Sequence, residues 1–147
     1  MIRKFKNTDS AECAQLIYRS LDTYVDLSLE AKEYIKRNNT PEGLIKKSKL
    51  IYMVVFEKNK KILGTGALDK NEIRGMFTDI NHQGKGIGTK IIKHLEDCAK
   101  KRYKKVFLHA ALNAIQFYKK QGYVEVQLLE ERKGNVIIKN MLMEKEL

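Results

Sequence analysis

Ile2 to Lys6 alternates apolar and charged residues, the period of a short half-buried strand. Thr8 or Asp9 is placed to cap a helix in which Ala11, Ala14, Leu16, Ile17, Leu21 and Val25 include several helical spacings. Ser28 opens a second helical stretch, Leu29 to Arg37, and Thr40-Pro41-Glu42 starts a third, with proline at the first helical position and an acid beside it. Leu50 to Phe56 is a continuous β-prone run, Glu57 to Lys61 a polar turn, and Ile62 to Leu68 a second run, so the pattern predicts a hairpin. Gly64 and Gly66 weaken that second strand and mark a bulge or the close approach of another group. Glu72 to Thr78 continues the sheet. Gly84 to Gly88 then leads into a long helix with Ile87, Ile91, Ile92, Leu95 and Ala99 on one face. Val106 to Ala110 reads as a strand, Asn113 to Gln121 as a helix ended by Gly122, and Tyr123 to Leu129 and Val136 to Met143 as a hairpin turned at Lys133-Gly134-Asn135. The order predicts an α+β fold with one strand–helix–strand crossover of parallel type.

Length adds that 147 residues suffice for a single domain, 1–147, without repeats or linkers. The N-terminus lacks the apolar stretch of a secretory signal and no window approaches the ~18 apolar residues of a membrane helix, so a cytoplasmic protein without membrane contact is expected. Cys13 and Cys98 have no zinc-ligand spacing and read as buried helix residues. Charge changes the picture more: 29 Lys+Arg against 18 Asp+Glu give a net charge of +11. A basic surface can hold nucleic acid, a membrane face or a polyphosphate ligand. Of the basic residues 23 are Lys and 6 Arg, dispersed along the chain, which suits a solvated surface better than base or phosphate recognition by arginine.

The one loop with chemistry written into it is Asp79-Ile80-Asn81-His82-Gln83-Gly84-Lys85-Gly86-Ile87-Gly88-Thr89. Glycines at 84, 86 and 88 let the main chain approach a ligand, and the N–H groups opening the following helix carry the positive end of its dipole. The spacing fits neither a Walker A loop nor a dinucleotide fingerprint. Standing alone, it would equally suit a turn that caps a helix.

Gln83-Gly84-Lys85-Gly86-Ile87-Gly88 resembles the Q/R-x-x-G-x-G/A signature of the GNAT superfamily of acetyl-CoA-dependent N-acetyltransferases. Leu112 to Tyr123 is similar to that family's N-A-x-x-F-Y-x-x-x-G-F/Y block. The loop's usual proline is replaced by Ile80, which bears on loop rigidity. The resemblance implies a mixed, mostly antiparallel central sheet of about six to seven strands flanked by helices and splayed between the fourth and fifth strands. It implies that main-chain groups of Met76, Phe77 and Thr78 bind the pantetheine arm of acetyl-CoA, and that Gln83, Gly84, Lys85, Gly86, Ile87, Gly88 and Thr89 hold its diphosphate. Asn113 would steady the same region, or act as a helix N-cap.

Transfer to a primary amine needs a base, a polarised thioester carbonyl and a proton for the departing thiolate. By resemblance Tyr118 is the cofactor-contacting proton donor and Glu72, 11 residues before Gln83, the base, with a water relay or another carboxylate as competitor. His82, His94 and His109 lack metal spacing, so no metal is expected, and His109 reads as a packed side chain. Tyr18, Tyr24, Asp26, Tyr34, Arg74 and Glu125 are acceptor contacts by location alone, with the acceptor itself, small molecule or protein, left open. The rival readings are a catalytically idle acyl-CoA sensor on the same fold and, less favoured, a basic nucleic-acid-binding module. Apolar positions on the last hairpin leave a homodimer open.

Overall fold

A computed structural model describes all 147 residues. Strand β1 (Ile2–Lys4) is followed by helices α1 (Ser10–Asp22), α2 (Leu29–Arg37) and α3 (Pro41–Leu50), then by strands β2 (Tyr52–Lys58), β3 (Lys61–Asp69) and β4 (Glu72–Thr78). Helix α4 (Ile87–Lys100), strand β5 (Lys105–Ala111), helix α5 (Ile115–Lys120) and strands β6 (Val124–Lys133) and β7 (Val136–Glu146) complete the chain. The seven strands form one sheet in the order β1-β2-β3-β4-β5-β7-β6, antiparallel throughout except for the parallel pair β4-β5. The α+β architecture expected from the element order is the one observed. No helix is long and apolar enough to cross a membrane.

The uninterrupted apolar run of β2 has a direct cause: both faces of the sheet are covered, so alternate residues go to different cores. Val54 and Phe56 pack with Ile87, Ile91, Ile92, Leu95 and Ala99 of α4, while Met53 and Val55 pack with Cys13, Leu16, Ile17 and Leu21 of α1 and Leu44 of α3. Close packing explains the two glycines of β3. A Cβ on Gly64 would stand 2.7 Å from Ile91 Cδ1, and one on Gly66 would stand 2.8 Å from both Ile91 Cγ2 and Met76 Sδ. They mark the close approach of α4, and a bulge is present too: against β2, strand β3 carries one extra residue, Leu63, beside Gly64, between Phe56↔Gly64 and Glu57↔Ile62. A second bulge lies in β4. Between Thr65↔Phe77 and Ala67↔Arg74, β4 carries one residue more than β3, and Gly75 takes the φ of +59° that this requires.

Several local expectations shift. Helix α1 ends at Asp22, leaving Val25 outside it and exposed. Leu50 is the exposed last residue of α3, not the first of β2. Asp9 does not cap α1 with its side chain; it accepts from the Lys6 N–H at 2.8 Å and takes the Arg3 guanidinium at 2.8 and 2.9 Å. Cys13 is fully buried, its thiol pushed up to about 12 by burial and then by the nearby carboxylates Asp9 and Glu12, whereas Cys98 is only partly buried, with Sγ 3.8 Å from His94 Nε2.

The feature that positions a site is the break between β4 and β5. The two strands meet only where Glu72 faces Phe107, reinforced by the Phe107 N–H donating to Asn71 O at 3.1 Å and Asn71 Nδ2 donating to Lys105 O at 3.1 Å. Beyond that point they diverge, and the sheet opens on the side where β4 runs into the glycine loop.

Candidate functional site

Two cavities occupy the opening. The first, of about 490 Å³, is a trench along β4, the glycine loop, the start of α4 and the face of α5. Of the expected cofactor contacts, Met76, Phe77, Thr78, Gln83, Gly84, Gly86, Ile87, Gly88, Thr89, Asn113 and Tyr118 all line it. Three glycines, Gly84, Gly86 and Gly88, are part of its lining. Gly84 and Gly86 hold φ of +79° and +81°, a left-handed turn that delivers the chain into α4 with Gly86 as the cap residue. The first N–H groups of α4 have no intrahelical partner and face the same end of the trench, a cradle for a diphosphate. Gly88 lets the two helices touch, since a Cβ there would lie 3.0 Å from Phe117 Cζ. Gln121 Nε2 donates to Thr89 Oγ1 at 3.0 Å and ties the end of α5 to the same turn.

Lys85 departs from the expected set. It does not line the trench but an adjoining concave surface with Lys58, Lys61 and Lys90, which shares His82 and Ile87 with the trench. Asn113 lies within a turn of 3-10 helix, Leu112–Ala114, and does not cap α5: the cap position is Ala114, with no side-chain hydrogen bond.

Loop order comes from a residue the sequence pattern did not single out. Asp79 Oδ2 accepts from the His82 Nδ1–H at 2.7 Å and the Asn81 N–H at 3.2 Å, while Arg19 Nη2 approaches Oδ1 at 3.4 Å and the Asp79 N–H donates to Leu63 O at 2.8 Å. Burial of this carboxyl opposes its charge, but the hydrogen bonds from His82, Asn81 and Arg19 outweigh it and hold the group below the ordinary carboxylate range. Where a proline would stiffen the loop, Ile80 stands beside this hub.

The second cavity, of about 210 Å³, lies beneath α2 and the α1–α2 connection, against β4, β5 and β7. It is mostly apolar, with Leu21, Leu27, Ile35, Leu108, Leu112 and Ile138 in its walls. Tyr24, Asp26 and Arg74 of the location-based acceptor set line it, and Tyr18, Tyr34 and Glu125 do not. Tyr18 instead packs against the α1 core, and Glu125 pairs with Lys119 at 2.9 Å. His109 also lines this cavity and is exposed, against the expectation of a packed side chain. Its neighbour Asn140 belongs to the site and carried no signal in the sequence, because its place depends on the pairing of β7 with both β5 and β6.

Tyr118 stands between the two cavities and lines both. Only 7% exposed, it packs edge-on against Phe117 and Tyr123, with ring centroids 5.1 and 5.8 Å away. Burial, with a smaller contribution from the Tyr24 phenol, raises its hydroxyl far above the usual tyrosine range, so the proton stays on the oxygen at neutral pH. Glu72 is not brought to either cavity. It is the first residue of β4, roughly 20 Å of extended strand before Thr78.

A family model described as an acetyltransferase (GNAT) domain matches residues 20–147. Solved structures share the fold over the whole chain. A GCN5-related N-acetyltransferase from Rhodopseudomonas palustris is 22% identical with a TM-score of 0.92, the match covering 100% of this chain and 95% of that one. PaiA N-acetyltransferase from Thermoplasma acidophilum, solved in complex with coenzyme A, is 20% identical with a TM-score of 0.81 over 100% of this chain and 98% of its own. Ribosomal-protein-alanine N-acetyltransferase from Brucella melitensis is 17% identical with a TM-score of 0.72, covering 100% and 99%. No protein of curated function matches the sequence. With the family model spanning most of the chain and the parallel β4-β5 pair opening onto a glycine cradle, the protein belongs to the GNAT acetyltransferase family.

Proposed function

We propose that the protein moves the acetyl group of acetyl-CoA to a primary amine by direct attack in a ternary complex. The observation that carries this reading is the junction of the two cavities: Tyr24, Met76, Phe77, Asn113, Ala114 and Tyr118 line both, so a donor in the trench and an acceptor beneath α2 would meet beside one buried phenol. The trench fits coenzyme A on its own terms. It offers unpaired helix N–H groups for the diphosphate and, along Met76 to Thr78, a strand edge that β5 has left free for an extended amide-bearing arm.

Bound acetyl-CoA supplies the activated thioester, and the protein's groups do the rest. The first turn of α4 holds the diphosphate. Main-chain N–H near Phe77 or Thr78 polarises the acetyl carbonyl. Tyr118, a protonated phenol at neutral pH where the two cavities meet, donates to the departing thiolate. Glu72, the base by resemblance, does not itself line the acceptor cavity although Ile73 and Arg74 beside it do, and this reading gives the amine's proton to groups in the lining.

Isothermal titration with coenzyme A tests the reading: binding in the micromolar range is expected, and no heat at millimolar ligand would sink it. Binding without thiol release over a broad panel of amines would favour an acyl-CoA sensor.

A further inference from the structure

Asn140 is buried to 7% exposure within the wall of the acceptor cavity, and its Oδ1 is the one buried side-chain polar atom in the protein without a hydrogen-bond partner. Its Nδ2 is occupied, donating to Glu131 Oε1 at 3.3 Å, which fixes Oδ1 as the free atom. The same Glu131 oxygen stands 3.7 Å from His109 Nδ1. Strand register places these groups together independently of side-chain torsions. His109 and Ala111 share a face of β5, Ala111 pairs with Asn140 of β7, Ile138 lies two residues from Asn140 on the same face, and Ile138 pairs with Glu131 of β6. All point toward the cavity side of the sheet. A buried carbonyl oxygen left unpaired asks for a donor, and the open side of the cavity is where one would come from.

We propose that this trio receives the acceptor amine: Asn140 Oδ1 accepts one N–H of the amine, His109 takes the proton that must leave it, and Glu131 positions the imidazole. The inference rests on the acetyl-transfer reading and adds the group that replaces Glu72 as base. The bound ammonium first gives one proton through His109 to solvent, which frees the nitrogen lone pair. The amine nitrogen then forms a bond to the acetyl carbon, the carbon–sulfur bond breaks, a second N–H proton passes to Nε2 of His109, and the thiolate takes a proton from Tyr118. The proton on His109 returns by way of solvent to the Tyr118 phenolate, so the net release is one proton.

The same cavity selects the acceptor class. Around its apolar walls the two cations, Arg74 and Lys139, are already paired with Asp69 at 3.3 Å and Glu130 at 3.6 Å, Glu131 is engaged by Asn140 and His109, and Asp26 is the one carboxylate of the lining without an ion-pair partner. A polycationic acceptor would find one free carboxylate there, enough for a single ammonium and not for several. The acceptor is a primary amine with a single positive charge and an apolar body.

The test uses the purified full chain with acetyl-CoA, taking phenethylamine and tryptamine as probes against spermidine and following thiol release. The two arylalkylamines should be acetylated with kcat/KM at least tenfold above spermidine. His109→Gln should lose about 10²-fold in kcat/KM, the usual contribution of a general base, with coenzyme A affinity within about twofold of the parent. Free imidazole should restore part of the activity of His109→Gly, which a merely structural histidine would not allow. Asn140→Leu should raise the amine KM about tenfold while kcat and coenzyme A affinity hold, and Glu131→Gln should lower kcat more than it raises KM, with partial recovery in Glu131→Asp. A preference for spermidine, His109→Gln within twofold of the parent, or coenzyme A binding with no amine acetylated would each overturn the proposal while leaving the cofactor site standing. Failure to bind coenzyme A would remove both.

Discussion

The trench along α4 centres on a glycine turn and a helix N-terminus, whereas the cavity beneath α2 is lined mostly by apolar residues from five separate stretches of sequence. The part of the first that would hold a diphosphate is a local construction, a strand, a left-handed glycine turn and a helix N-terminus within Glu72 to Lys100, whose donors are N–H groups that every residue type but proline possesses, and α5 with Ser20 and Tyr24 closes it. The other exists only after β7 has inserted between β5 and β6 and α2 has folded over the open edge. A cofactor shared across a family can be held by a scaffold that tolerates side-chain change. An acceptor that differs from enzyme to enzyme calls for a wall that does not.

The sharpest break in this comparison comes at Tyr118, one of the six residues that line both cavities. Tyr118→Phe keeps the ring that packs against Phe117 and Tyr123 and removes only the hydroxyl. The expected outcome is a fall of about 10²-fold in kcat, with the KM for acetyl-CoA and for the amine both near the parent value, as loss of a transition-state proton donor requires. Steady-state kinetics against each substrate in turn decides it, and an unchanged kcat would remove Tyr118 from the reaction.

One step smaller, and confined to the cofactor side, is Gly86→Val. The φ of +81° is strained for a β-branched residue by about 1–2 kcal/mol, and relief of that strain misplaces the N–H groups that open α4. Coenzyme A affinity measured by titration should fall about tenfold, while binding of an amine to the second cavity is untouched. A parallel loss on both sides would mean that the two walls are not separable.

These two positions also show what could be read before folding and what could not. The glycine turn, the α4 stripe and the Asn113-to-Tyr123 block are each set by short spacing, so the residues that line the trench could be expected from the sequence, Lys85 excepted because a side chain's direction out of a turn depends on local φ and ψ. The acceptor cavity was legible only as a location. His109 looked like packing because alternation along β5 says which residues share a face, but not that this face is left open by the splay. Asn140 and Glu131 acquire meaning through register with β5 and β6, a long-range property. Asp79 was passed over because its partners His82 and Arg19 come from different distances along the chain.

On the acceptor side the corresponding change is Leu27→Ala, which trims an apolar wall residue that does not line the trench. Loss of about 1 kcal/mol of apolar contact, roughly one methylene, corresponds to an amine KM about fivefold higher, with coenzyme A affinity constant. Equal effects on both ligands would contradict the division of labour.

The smallest effect should come from Asp79, whose carboxylate orders the trench loop from behind instead of touching a ligand. Asp79→Asn keeps the size but gives up the charge that holds the His82 and Arg19 donors, so coenzyme A should bind about threefold more weakly at neutral pH. The pH dependence has a defined sign. The folded carboxyl lies below its unfolded value of about 3.9, so its contribution to stability is present above that value and is lost as pH falls through the lower, folded one. Urea midpoints of parent and variant should therefore differ by a constant amount from pH 7 to pH 5 and converge only in more acidic solution. Convergence already between pH 7 and pH 5 would show that the loop is held by a group other than Asp79, and would return the question of loop rigidity to Ile80.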